Sequence, residues 1–202
     1  MSISTSAFLA LAIQCAPNVH TDTLQALVRT ESGFNPYAIG VVGPPLAKQP
    51  TSLNEALDAI KSLNKAGLKY SLGLSQIYIG NLANEPDISS VFEPCKNLRL
   101  GANILSSCYQ RALTETDDQQ DALKKAFSCY YSNNFTRGFK KENNGSSYVE
   151  RVINNADKNA GNKITVPAII KTPQNNESDN NQIQPQKSAP RKKWDIYSDF
   201  NI

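Results

Sequence analysis

A chain of 202 residues, 40% hydrophobic and carrying a net charge of +3, has room for one domain with a sizeable core plus an extension. So mild a positive charge, with no basic stripe interleaved with aromatics, does not call for nucleic acid and suits a polyanionic or zwitterionic polymer only weakly. No apolar run is long enough to span a membrane, and a single histidine, His20, leaves little material for a histidine-based metal site or a Ser-His triad.

In chain order, the opening Met1-Ser2-Ile3-Ser4-Thr5-Ser6 has no Lys or Arg ahead of the apolar run 7–13, a poor match to a signal peptide. The run is read instead as a first helix with Ile3, Phe8, Leu11 and Ala12 turned inward. A second helix is predicted over 21–30, with Thr21 or Asp22 as its cap and Leu24, Leu27 and Val28 on its apolar face. Gly33 and Pro36 end it, and a Gly- and Pro-rich loop runs to Pro50.

Ser52-Leu53-Asn54-Glu55 is a capping box. It opens a helix with Leu53, Ala56, Leu57, Ile60 and Leu63 on one face, stopped by Gly67. Residues 70–79 read as extended or irregular. Pro94 opens a long helix bearing Leu98, Ala102, Leu105 and Tyr109. Asp117 or Asp118 starts another, through Leu123, Ala126, Phe127 and Tyr130. The Asn143-Asn144-Gly145 run is a turn signal, and Ser147-Tyr148-Val149-Glu150 is a second capping box before a last helix.

The four cysteines, Cys15, Cys95, Cys108 and Cys129, match no zinc spacing. Their even number fits two disulfides and an oxidising compartment. Cys95 and Cys108 fall on one helix, where thirteen residues span roughly 20 Å, too far for a bridge; the other pairings stay open.

After residue 157 the composition turns to Asn, Gln, Pro, Ser and Lys, which bury too little apolar surface to offset their ordering entropy. Residues 1–157 are therefore read as a mainly α domain and 158–202 as a flexible tail. Trp194, the only tryptophan, follows Arg191-Lys192-Lys193 near its end, as an anchor for a partner would.

Glu31 carries the chemistry. A carboxylate at a helix C-terminus faces the negative end of the macrodipole, and apolar neighbours desolvate it. Both raise its pKa, so it stays protonated near neutral pH and serves as the general acid of a glycan-cleaving enzyme. Glu55, Asp58 and Asp87 offer no clear second carboxylate.

Four patches recur in order: Glu31-Ser32-Gly33-Phe34-Asn35-Pro36-Tyr37-Ala38; Gly73-Leu74-Ser75-Gln76-Ile77; Asn97-Leu98-Arg99-Leu100-Gly101-Ala102-Asn103-Ile104-Leu105; and Ala126-Phe127-Ser128-Cys129-Tyr130, with Ser147-Tyr148-Val149 beyond. Together they resemble the soluble lytic transglycosylase family, of goose-type-lysozyme-like α fold. Three positions depart from its pattern: Ser75 stands where a methionine shapes the pocket around the sugar, and Tyr131 and Asn133 stand where Asn and Gly are usual. Gln14-Cys15-Ala16-Pro17, the run 35–43, Pro94-Cys95-Lys96-Asn97-Leu98 and Phe127-Ser128-Cys129-Tyr130-Tyr131 resemble more closely the branch encoded with type IV secretion and conjugation systems.

The resemblance implies cleavage of the β-1,4 bond between N-acetylmuramic acid and N-acetylglucosamine in peptidoglycan, in the periplasm of a Gram-negative bacterium. No metal or cofactor is implied. Glu31 would protonate the glycosidic oxygen, the substrate's N-acetyl group would stabilise the anomeric centre, and the C6 hydroxyl would attack internally to give a 1,6-anhydro sugar. Ser32 and Gln76 would hydrogen-bond substrate or position Glu31. Tyr130 would donate to the N-acetyl region or to the Glu31 carboxyl, and Tyr148 would line the sugar groove. The tail would meet envelope proteins of the secretion system. Two other readings fit the same residues: a hydrolytic lysozyme on this fold, and a peptidoglycan-binding scaffold that recruits secretion components.

Overall fold

The computed structural model describes residues 2–157; the expectations for the tail and for Trp194 lie outside the described residues. Among these, six α-helices and a three-stranded sheet follow in the order α1 (Thr5–Cys15), α2 (Thr21–Ser32), β1 (Ile39–Val41), α3 (Leu53–Lys65), β2 (Tyr70–Leu72), β3 (Ile77–Tyr78), α4 (Pro94–Ala112), α5 (Gln119–Ser132) and α6 (Tyr148–Asp157). The fold is mainly α, as composition and periodicity anticipate.

Local chemistry starts and stops most of these helices. Ser4 caps α1, accepting from the Ala7 N–H, and Asp118 caps α5 through the N–H groups of Gln120 and Asp121. The cap of α2 is neither Thr21 nor Asp22. It is His20, whose Nδ1 accepts from the Asp22 N–H at 3.3 Å. The imidazole offers an acceptor at the same reach as a serine hydroxyl, and the single histidine is spent there.

The two capping boxes differ. Before α3 the Ser52 hydroxyl accepts from the Glu55 N–H, while the Glu55 carboxylate reaches one residue further back, to the N–H and hydroxyl of Thr51. Before α6 the exchange is reciprocal. The Glu150 N–H donates to the Ser147 hydroxyl at 3.2 Å, and the Ser147 N–H donates to the Glu150 carboxylate at 2.7 Å. Ser147 is buried, so no solvent replaces that hydroxyl. Ser147→Ala is expected to destabilise the domain by about 1–2 kcal/mol, read as a lower midpoint in urea with an unchanged slope.

Two hydrophobic clusters meet along α4. The helical cluster gathers Phe8, Leu24, Leu27, Val28, Leu98, Leu105, Phe127 and Val152. The sheet cluster gathers Ile39, Ile60, Tyr70, Leu72, Ile77, Val91 and Phe92, with Leu100 and Ile104 of α4 packed against it. The long helix thus serves both clusters with different faces, and each fully buried Leu or Ile contributes about 1.5–3 kcal/mol.

The sheet is antiparallel in the order β1-β2-β3. Ile39 pairs with Leu72 and Leu72 with Ile77, and all three are buried. Strand β1 falls inside the segment expected to be loop. Three residues are too few to show a period, and it becomes a strand because β2 and Gln49 complete its hydrogen bonds. The Gln49 side chain exchanges two bonds of 2.9 Å with the N–H and C=O of Ile39, as a strand partner would.

Both disulfides are formed. Cys15–Cys95 ties α1 to α4, and Cys108–Cys129 ties α4 to α5. As the helical spacing required, Cys95 and Cys108 are not joined. The bridges close loops of 80 and 21 residues, each worth roughly 3–4.5 kcal/mol of unfolded-state entropy.

Candidate active site

Glu31 is the penultimate residue of α2, and Gly33 caps that helix in the left-handed region. Phe34 follows with φ of 66°, an uncommon conformation for a bulky residue. It is held there from three sides: its carbonyl accepts from the Ile3 N–H, its ring meets Phe8 edge-on at 5.2 Å, and the Arg29 guanidinium lies 5.3 Å from the ring centre. The last turn of α2 is also docked on α6, because Asn155 donates to the Thr30 hydroxyl at 2.9 Å.

Tyr148, the first residue of α6, is buried, and its hydroxyl donates to Oε1 of Glu31. Glu31 is itself partly buried. Burial is the largest influence on its carboxyl and raises its pKa from 4.5 to about 7, against the opposing effects of the Tyr148 hydrogen bond and the Arg151 charge. An acid with that pKa is largely neutral in mildly acidic to neutral solution. With Oε1 accepting from Tyr148, Oε2 is the oxygen left to carry the acidic proton.

The remaining candidates take up other positions. The Ser32 hydroxyl donates to the Val28 carbonyl of its own helix at 3.2 Å. Gln76, with φ of 48°, donates through Nε2 to the carbonyls of Ala38 at 3.1 Å and Gly73 at 2.9 Å. Its amide closes the turn between β2 and β3 and joins that turn to the residue before β1. Tyr130 donates to the Ser75 carbonyl at 2.5 Å. Its single O–H is therefore spent on the turn, and the tyrosine that donates to Glu31 is Tyr148.

Asn97 carries the third patch into the same turn. Fully buried on α4, it accepts from the Ser75 N–H at 2.7 Å and donates to the carbonyls of Leu72 at 3.0 Å and Val91 at 2.9 Å. Gly73 must be glycine on two counts: its φ is 76°, and a Cβ there would lie 2.2 Å from Nδ2 of Asn97. A Cβ on Gly101 would lie 2.5 Å from that of Ser75.

The three departures from the family pattern have local explanations. Ser75 is fully buried and its side chain faces Gly101 of α4, in the interior. Asn133 ends α5 with φ of 52°, and asparagine is the usual substitute for glycine in that conformation. Tyr131 stacks on Tyr148, with ring centres 4.6 Å apart and planes at 15°.

The acidic residues considered as partners of Glu31 are engaged locally. Glu55 binds Thr51, Asp58 pairs with Lys61, and Asp87 caps the short turn 88–92. Periodicity gave no signal for Glu142, which belongs to the cluster. One carboxylate oxygen accepts from Tyr131 at 2.8 Å and the other from Arg151 at 2.7 Å. Burial is the largest single influence and acts to raise its pKa, but those two hydrogen bonds together with the charges of Arg151 and Arg137 outweigh it and hold the group below the usual value. A cavity lined by Asp22, Thr23, Ala26, Leu123, Phe127 and Val152 lies toward the other end of α2, about 8–13 Å along the helix from Glu31, and is separate from this cluster. Among the described residues no group of three or more His, Cys, Asp or Glu side chains could hold a metal ion.

Comparison with known proteins adds three findings. The family model described as Transglycosylase SLT domain matches residues 8–164. The Type IV secretion system protein virB1 of Brucella abortus biovar 1 (strain 9-941) is 49% identical over 171 residues, covering 82% of this chain and 71% of that protein. Protein virB1 of Rhizobium radiobacter is 31% identical over 203 residues, covering 98% of this chain and 75% of that protein. No solved structure matches the chain.

Proposed function

The chain belongs to the transglycosylase SLT domain family, and from that premise we propose that it is a peptidoglycan lytic transglycosylase. The observation that carries the reading is the Glu31 carboxyl, partly buried, hydrogen-bonded by Tyr148 and with a pKa of about 7. Oε2 of Glu31 protonates the oxygen between N-acetylmuramic acid and N-acetylglucosamine. The bond breaks with positive charge developing at the anomeric carbon, where the substrate's own N-acetyl oxygen stabilises it. Glu31, now a carboxylate, takes the proton of the C6 hydroxyl as that oxygen closes on the anomeric carbon, giving the 1,6-anhydro product. The internal nucleophile has the advantage of proximity.

This route needs one carboxylate. An inverting hydrolase needs a second to activate water, and Glu142, the other carboxylate of the cluster, has both oxygens engaged by Tyr131 and Arg151. Two disulfides suit an oxidising compartment. The names of the relatives support the setting: the periplasm of a Gram-negative bacterium, where opening of the wall lets a type IV secretion or conjugation apparatus assemble. Residues 158–202 are proposed to contact envelope proteins of that apparatus.

Incubation with purified sacculi and mass analysis of the soluble products tests this. Anhydro-muropeptides are expected. Reducing ends instead would identify a lysozyme, and no products at all would leave the scaffold reading. Tyr148→Phe removes the hydrogen bond that favours ionised Glu31. The basic limb of the pH–rate profile is then expected to move upward and the rate to fall roughly tenfold, a modest part of a general acid's contribution.

A further inference from the structure

Behind Tyr148 lies a second layer that the reaction as written does not use. Tyr131 comes from α5, Arg151 from α6 and Glu142 from the loop between them. The Tyr131 ring stacks on that of Tyr148 at 4.6 Å, and its hydroxyl donates to one Glu142 oxygen at 2.8 Å. Arg151 donates to the other at 2.7 Å and sits 5.7 Å from the Tyr148 ring centre. Arg151 is three residues after Tyr148, hence on the same side of α6. Glu142 is fixed in its own turn, where its N–H donates to the Ser146 carbonyl and its carbonyl accepts from the Gly145 N–H.

We propose that Tyr131, Glu142 and Arg151 act together as a clamp of positioning residues that holds the Tyr148 hydroxyl on the Glu31 carboxyl; the inference rests on the active-site reading above. A phenol on a buried ring keeps its direction only if the ring cannot tilt. Tyr131 supplies the flat contact, and the carboxylate locks Tyr131 and Arg151 in place at once, each through a charge-assisted bond. Tyr131 is exposed, so the interior does not hold it and the bond to Glu142 must. The clamp also sets the charge around Glu31. Arg151, whose charge acts on the Glu31 carboxyl, is itself paired with Glu142, with Tyr130 beside Tyr148 and Arg137 near Tyr131 and Glu142.

The test uses the full chain with Glu142→Gln, Arg151→Met and Tyr131→Phe. It reads the pH dependence of muropeptide release and, separately, the carboxyl-carbon NMR titration of Glu31. Glu142→Gln leaves the Arg151 cation unopposed and is expected to move both midpoints to lower pH. Arg151→Met leaves an anion unopposed and is expected to move them to higher pH. Tyr131→Phe changes no charge and keeps the ring, so kcat is expected to fall roughly tenfold, the scale of a small misplacement, with KM unchanged. Residues that serve folding alone would lower activity only in step with stability. Shifts in one direction, or none, overturn the clamp, and so does an unchanged kcat in Tyr131→Phe. The NMR titration needs no turnover: a wild-type protein that releases no anhydro product defeats the active-site reading, while the opposed Glu31 shifts still decide the clamp.

Discussion

Glu31→Gln is expected to abolish glycan cleavage while leaving the fold intact. The amide is isosteric with the protonated acid and still accepts from Tyr148, but it cannot transfer a proton to a leaving oxygen. A positioned general acid contributes roughly 100- to 10,000-fold in rate. The wild-type rate should also fall as pH rises through about 7, where the acid loses its proton.

The same residue predicts a change in stability of definite sign. The folded pKa lies above the unfolded value, so between 4.5 and about 7 the folded state holds the extra proton. The contribution is favourable below 4.5 and is lost as pH rises through 7. A shift of this size corresponds to roughly 3 kcal/mol at most. Glu31→Gln has no such loss, so it should match the wild type near pH 4 and exceed it at pH 8. Urea denaturation at the two pH values measures this. Equal midpoints at pH 8 would mean that the carboxyl is well solvated, and the acid assignment would fall with it.

Asn97→Ala is expected to cost about 3–5 kcal/mol, since three buried main-chain groups lose their partners together. Those groups are the Ser75 N–H and the carbonyls of Leu72 and Val91, so the damage falls on the turn between β2 and β3 and on the segment leading into α4. For a domain of this size the midpoint of thermal unfolding should drop by roughly 10 °C. Activity should fall further than the unfolded fraction explains. The turn held by Asn97 also carries Gln76 and receives the Tyr130 hydroxyl, so loosening it releases Tyr130, which lies near Tyr148, the hydrogen-bond partner of the acid. A midpoint within 2 °C of the wild type, a far smaller drop than the lost bonds imply, would show that the asparagine is replaceable.

Much of the helical frame could be read before any coordinates. Pro94 at the first turn of α4 and the reciprocal box of Ser147 and Glu150 are short-range devices, each complete within four residues, and both stand in the structure. The exclusion of a Cys95–Cys108 bridge needed only helix rise. One local reading failed because the competing partner was near but of an unusual type: His20 took the cap expected of Thr21 or Asp22. Strand β1 was hidden because its identity depends on Gln49 and β2, and three residues carry no period of their own.

The amino-acid order by itself determined the helices, the family and the place of a lone carboxyl at the end of α2, because each of these is written in neighbours a few positions apart. Which tyrosine reaches that carboxyl was decided only in three dimensions: Tyr148 lies 117 residues from Glu31, and no spacing rule spans that gap. Tyr130, on α5, is spent on the Ser75 carbonyl, and the packing of α6 on α2 brings Tyr148 and Glu31 together. It also lifts the Glu31 pKa, since desolvation depends on what surrounds a group in space.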